Sequence, residues 1–148
     1  MSYRTVRPED LPLLFRLERA YMQEVEPDSV AGWTNALDRN LELWIDCLPT
    51  SGAITDEDGT VTGLAVWQLQ PAVATLVAVH VVPERRGAGV GGRLLEGFVG
   101  AATAGGVPTA ALGVHESNTR AERLYTSHGF CHIGSDGAYR LFERSLTV

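Results

Sequence analysis

Two arginines and four glycines crowd into one short stretch, Arg85-Arg86-Gly87-Ala88-Gly89-Val90-Gly91-Gly92. A β-branched run ending at His80-Val81-Val82-Pro83 precedes it, and the apolar pair Leu94-Leu95 follows. Strand, bare loop and helix start in that order make an anion site, most often for phosphate. Unpaired amides converge there with the positive end of the helix dipole. Glycine admits φ > 0 and lets a ligand lie against the main chain. Gly87-x-Gly89-x-x-Gly92 also satisfies the dinucleotide-binding pattern, and Glu116 lies 24 residues beyond Gly92, near where a ribose-binding acid is sought. Against that reading, Pro83 to Arg86 separate the strand from the first glycine, and too little chain follows for a doubly wound sheet. A turn shaped by glycine alone needs fewer glycines than these.

The elements that must position this loop follow from pattern. Tyr3 to Val6 reads as a strand closed by Pro8. Asp10 is placed to N-cap a helix from Leu11 to about Glu24, with Leu14, Leu17, Tyr21 and Val25 at core spacing and Glu18 and Glu24 on its flanks. After Pro27, Asp28 or Ser29 caps a second helix whose apolar face is Trp33, Leu37, Leu41, Trp44 and Leu48; Pro49 stops it. The period then changes. Ala53 to Thr55 and Val61 to Leu69 flank Asp56-Glu57-Asp58-Gly59, a hairpin signal. Val73 to Val82 is apolar on both faces, as a central strand should be. Gly91 to Ala104 reads as helix, Gly97 and Gly100 permitting close packing on the sheet, and Gly105-Gly106 ends it. Thr109 to Val114 is a strand. Thr119 to Glu122 fits a capping box for a short helix that Gly129 terminates. Phe130 to Ile133 and Tyr139 to Leu146 are strands joined across Ser135-Asp136-Gly137. The predicted order is β-α-α-β-β-β-α-β-α-β-β: one α/β (α+β mixed) domain over residues 1–148, a mixed sheet with helices on its faces.

A chain of 148 residues suits one core, and 45% hydrophobic with 20% charged residues is globular. The formal net charge of −6 argues against a nucleic-acid or membrane-surface footprint and leans toward cationic small molecules or amines. Cys47 and Cys131 show no metal-ligand spacing, so no metal is expected and reduced thiols are the default. No leader-like run is seen, and a cytoplasmic protein is the expectation.

Val82-Pro83-x-x-Arg86-Gly87-x-Gly89-x-Gly91 resembles the acyl-CoA-binding signature of the GNAT superfamily, the Gcn5-related N-acetyltransferases. A second segment agrees: Asn118-x-x-Ala121-x-x-Leu124-Tyr125-x-x-x-Gly129-Phe130 is similar to that family's N-x-x-A-x-x-L-Y-x-x-x-G-F block. The two stand in the right order on the right elements, and the resemblance covers nearly the whole chain. It implies a mostly antiparallel mixed sheet flanked by helices, acetyl-CoA as cosubstrate, and an amine acceptor, either a small molecule or a peptide. Pairing into a homodimer is open to such a domain.

The resemblance also implies roles. Arg86, Gly87, Ala88, Gly89, Val90, Gly91 and Gly92 would hold the pyrophosphate. Val81 and Val82 would pair with the pantetheine arm like an added strand, the Val81 N–H polarising the thioester carbonyl. Tyr125, a phenol protonated at neutral pH, would be the general acid for the departing thiolate. Asn118 would hold the helix start or reach the cofactor. The base is less defined. The family's carboxylate on the central strand has no counterpart around Thr75 and Val77, which leaves His80, a neighbouring Glu84, His115 or Glu116, or a water chain. The acceptor pocket would be lined by the first two helices and the later strands. There Glu18, Glu24, Glu26 and Asp28 could attract a cationic amine, though exposed helix acids are the default. Trp33, Trp44, Tyr21 and Tyr139 read more readily as core or rim packing than as a recognition cage. An N-acetyltransferase working by direct attack in a ternary complex is the leading expectation. A non-catalytic acyl-CoA-binding or regulatory module is the alternative.

Overall fold

The computed structural model describes residues 1–147. The elements run β1 (Ser2–Thr5), α1 (Leu11–Val25), α2 (Val30–Asn35), α3 (Leu37–Cys47), β2 (Gly52–Thr55), β3 (Val61–Leu69), β4 (Ala74–Val81), α4 (Val90–Ala104), β5 (Thr109–His115), α5 (Thr119–Ser127), β6 (Cys131–Asp136) and β7 (Tyr139–Ser145). They form a seven-stranded sheet in the order β1-β2-β3-β4-β5-β7-β6. Each neighbouring pair is antiparallel except β4 with β5. This is the mixed, mostly antiparallel sheet that was expected, and it is not the doubly wound parallel sheet of a dinucleotide-binding fold.

Helices cover both faces because the central strands are apolar on both. On β3, Leu64 and Val66 join Leu14 of α1 and Trp44 of α3 in one core; Ala65 and Trp67 join Leu94, Leu95 and Phe98 of α4 in the other. The Trp67 indole N–H is buried without an acceptor among the described residues. Gly97 permits the close approach expected of it, since a Cβ there would meet the Tyr3 ring at 2.8 Å; beside Gly100 there is open space.

Three local expectations are corrected. Asp10 does not cap α1 with its side chain: its carboxylate takes both guanidinium nitrogens of Arg4, at 2.7 and 2.9 Å, and the Arg7 N–H at 2.8 Å. Both carboxylate oxygens are thereby engaged, and a charge-assisted bidentate pair is stronger than a cap to a neutral amide. The single helix predicted from Asp28 or Ser29 to Leu48 is two, broken at Ala36. The Thr34 hydroxyl bonds back to the Val30 carbonyl at 2.8 Å, a competitor to regular helix, and Leu41 is left exposed. At α5 the cap is Asn118, whose Oδ1 accepts the Ala121 N–H at 3.2 Å. Glu122 is thereby freed for Arg140, which it holds at 2.8 Å.

The register of β3 with β4 has one irregularity. Val66 pairs with Ala78 and Trp67 with Leu76, so Val77 bulges unpaired from β4. The parallel pairing of β4 with β5 stops just before it, after Ala74–Ala110 and Thr75–Ala111. A bulge bends its strand and increases twist, and here the two central strands part company beyond it. Among the described residues no helix is long and apolar enough to cross a membrane.

Candidate active site

The glycine loop closes one end of the opening between β4 and β5. Pro83–Arg85 makes a single 3-10 turn, Arg86 is extended, and Gly87 and Gly89 take φ of +80° and +84°. No Cβ would clash at either glycine, so conformation and not space requires them. The amides of Gly87, Gly89, Val90, Gly91 and Gly92 find no acceptor among the described residues. Three of these are the orphan donors at the N-terminus of α4, which lasts 15 residues. Arg85, Arg86 and Arg120 line the same cleft, of about 550 Å³, and Arg85 also reaches Asp56 at 3.5 Å. The described donor set is thus amides and guanidinium groups, which suits phosphate oxygens.

Two of the residues expected to hold the cofactor have their amides engaged elsewhere. The Ala88 N–H is spent on the Arg85 carbonyl at 3.2 Å, and Ala88 does not line this cleft. Val82 does not line it either: its N–H donates to the Thr62 carbonyl at 2.9 Å and its carbonyl accepts from Arg85 at 3.0 Å. Because Val82 reaches back to β3, strand alternation turns the main-chain groups of Val81 and Val79 the other way, toward the side that β5 has left. An extended amide chain would find its partners at those two residues.

A second cleft, of about 600 Å³, lies beyond the first and shares Tyr21, Val79, His80, Asn118, Ala121 and Tyr125 with it. Tyr125 is only 5% exposed and packs edge-on to Phe130. Burial pushes its phenol well above the usual range, and the hydroxyl has no partner among the described residues. His80, at the end of β4, is held through Nε2 by Glu18 Oε1 of α1 at 3.0 Å. Glu18 is in turn touched by the Trp33 indole N–H at 3.5 Å, and Tyr21 leans on the imidazole with ring centroids 5.9 Å apart. The second imidazole nitrogen, Nδ1, is unpartnered among the described residues. A carboxylate that fixes one nitrogen leaves the other as a proton acceptor.

The same cleft holds Glu26, just past α1 and 5% exposed. It accepts the Tyr139 hydroxyl, and the Tyr21 phenol lies beside it. Burial first, then the Glu26 carboxylate, pushes Tyr139 up to about 12 and Tyr21 upward as well, so both phenols stay protonated donors. Glu84 and Glu116, considered above as neighbouring acids, line neither cleft; His115 lines the second, edge-on to Tyr139.

Residues 14–130 match the family model described as the acetyltransferase (GNAT) family. The chain belongs to that family. Mycothiol acetyltransferase of Stackebrandtia nassauensis is 33% identical over 119 residues, 76% of this chain and 39% of its own. N-alpha-acetyltransferase 40 of Saccharomyces cerevisiae is 39% identical over 92 residues, 55% of this chain and 31% of its own. This GNAT chain therefore spans about a third of the length of these curated relatives. The fold is shared with the PaiA N-acetyltransferase of Thermoplasma acidophilum, solved in complex with coenzyme A, at a TM-score of 0.81 over 97% of this chain and 98% of that one, with 19% identity.

Within this GNAT fold the structure gathers Arg86, Gly87, Gly89, Gly91, Gly92, Asn118, Tyr125, His80 and Val81 around one pair of joined clefts. The sequence offered Glu18 and Glu26 as acids able to attract an amine, with solvated helix acids as the default, and Tyr21 and Tyr139 chiefly as packing. It did not show the pairing of Glu18 with His80 or of Glu26 with Tyr139. The one available signal for Glu18 was its place directly after Leu17, at the border of the apolar stripe of α1. For Glu26 the signal was its place among the acids from Glu24 to Asp28.

Proposed function

We propose that this chain transfers an acetyl group from acetyl-CoA to a primary amine. The observation that supports it most is the continuity of the two clefts: a cradle of unpaired amides and arginines leads, past Val79 and Val81, to an unpartnered phenol and a carboxylate-held imidazole. Acetyl-CoA supplies an acyl group activated as a thioester. The amides from Gly87 to Gly92, apart from that of Ala88, with Arg86 and Arg120, hold its phosphates. Val79 and Val81 hold its amide arm and orient the carbonyl. The Tyr125 hydroxyl donates a proton to the departing thiolate, and its burial keeps that proton in place until then. His80 takes the proton that an alkylammonium, of ordinary pKa ~10.4, must lose before it attacks. Glu18 orients the ring and stabilises its charged form.

Release of free CoA from acetyl-CoA, followed with a thiol reagent against a panel of amines and peptides, tests this. The chain contains no lysine, so no ε-amine of its own competes as acceptor. Amine-dependent CoA release is the expected result. Saturable acetyl-CoA binding with no release for any acceptor would overturn the enzyme reading in favour of a binding module.

A further inference from the structure

The two clefts carry opposite charge. The cofactor cleft is lined by Arg85, Arg86 and Arg120; the acceptor cleft is lined by Glu18, Glu26 and Asp28 and by no arginine. Glu18 is committed to His80. Glu26 is different: it is nearly buried, it accepts the Tyr139 phenol, and a carboxylate has room for further donors beyond the phenols that orient it. It follows the last turn of α1, whose free carbonyls also favour a cation. Trp33, Trp44, Tyr21 and Tyr139 line the same space, and aromatic faces attract positive groups. The unpartnered Tyr125 hydroxyl, nine-tenths buried and lining both clefts, marks the reacting end separately.

The reacting nitrogen is a poor match for Glu26. A carboxylate beside it would favour the ammonium form, which cannot attack. On the acyl-transfer reading, we propose that Glu26, with Asp28, binds a second group of the acceptor that stays protonated, so that the substrate is a compact diamine and not a monoamine or an amino acid. The nearer amine sits between His80 and Tyr125 and is acetylated. The farther ammonium stays charged among Glu26, Asp28 and the aromatic walls.

Three acceptors of matched length separate the possibilities: diaminobutane, pentylamine with a methyl in place of the second ammonium, and aminopentanoate with a carboxylate there. The expected kcat/KM falls in that order, with diaminobutane ahead of pentylamine by about tenfold or more. Glu26→Gln keeps an oxygen for Tyr139 and should collapse that ratio to near unity, and Asp28→Asn, at an exposed position, should lower it less. Calorimetry of each amine on the protein gives the same comparison without turnover. Diaminobutane and pentylamine equal within about threefold in both rate and binding would overturn the diamine proposal. Absent CoA release with preserved, Glu26-dependent diamine binding would overturn acyl transfer while keeping the charge-selective site.

Discussion

The Glu18–His80 pair makes a prediction that separates orientation from direct chemistry. His80 Nε2 and Glu18 Oε1 are 3.0 Å apart, and the side chains are 11% and 16% exposed, so the pair is only partly screened by water. Replacing His80 by alanine removes the proton acceptor and should cost roughly 10²–10⁴ in kcat, the usual range for a general base. Glu18→Gln keeps an oxygen acceptor for Nε2–H but removes the charge facing an imidazolium. A charge-assisted hydrogen bond contributes about 1.5–3 kcal/mol, which sets a loss of roughly 10–100-fold. If Glu18 acts only through the ring, the loss vanishes in the His80→Ala background, and the double variant matches His80→Ala within about twofold. Steady-state kcat with saturating acetyl-CoA and varied amine reads this, and the melting temperature of each variant controls for folding. Losses that multiply would refute the reasoning, because Glu18 would then act on the amine itself. A drop of less than about fivefold for His80→Ala would refute the base assignment outright.

Tyr125→Phe keeps the contact with Phe130 and deletes a hydroxyl that has no protein partner, so its melting temperature should be unchanged or slightly higher while kcat falls roughly 10²–10⁴-fold. Burial raises the phenol, so the wild-type kcat profile should show no decline from Tyr125 deprotonation below about pH 10; a descending limb that the Phe variant abolishes would contradict this. Asp10→Ala strands the Arg4 guanidinium and the Arg7 amide and should cost about 3 kcal/mol, or roughly 6–12 °C in melting temperature, by calorimetry. Burial alone would raise this carboxyl, but the Arg4 and Arg7 bonds outweigh it and hold it below the usual range. Its contribution is therefore full at neutral pH and is lost as pH falls through the folded value, so the gap between wild type and variant should close in acid.

What was legible in the chain was local, and what was not was set by crossings between distant segments. Gly87 and Gly89 were readable because a positive φ is a one-residue requirement. The turn at Asp56 to Gly59 was readable for the same reason: Asp56 accepts the amides of Asp58 and Thr60, and Gly59 takes φ +82°. The residues read as the donor half do line one cleft, except Ala88, whose amide closes the turn onto Arg85, and Val82, whose amide bonds back to Thr62. The acceptor half depends on contacts between residues 62 and 113 positions apart, His80 with Glu18 and Tyr139 with Glu26. A helical wheel counts Glu18 as solvated, and only the way α1 lies across the β4–β5 opening makes it part of a cleft. That opening begins at a bulge on Val77, where no glycine or proline announces it. The two halves are therefore separable in physical terms. Substitutions on α1 and the β6–β7 hairpin can reset which amine enters while the glycine loop, fixed by its own backbone, keeps the same donor.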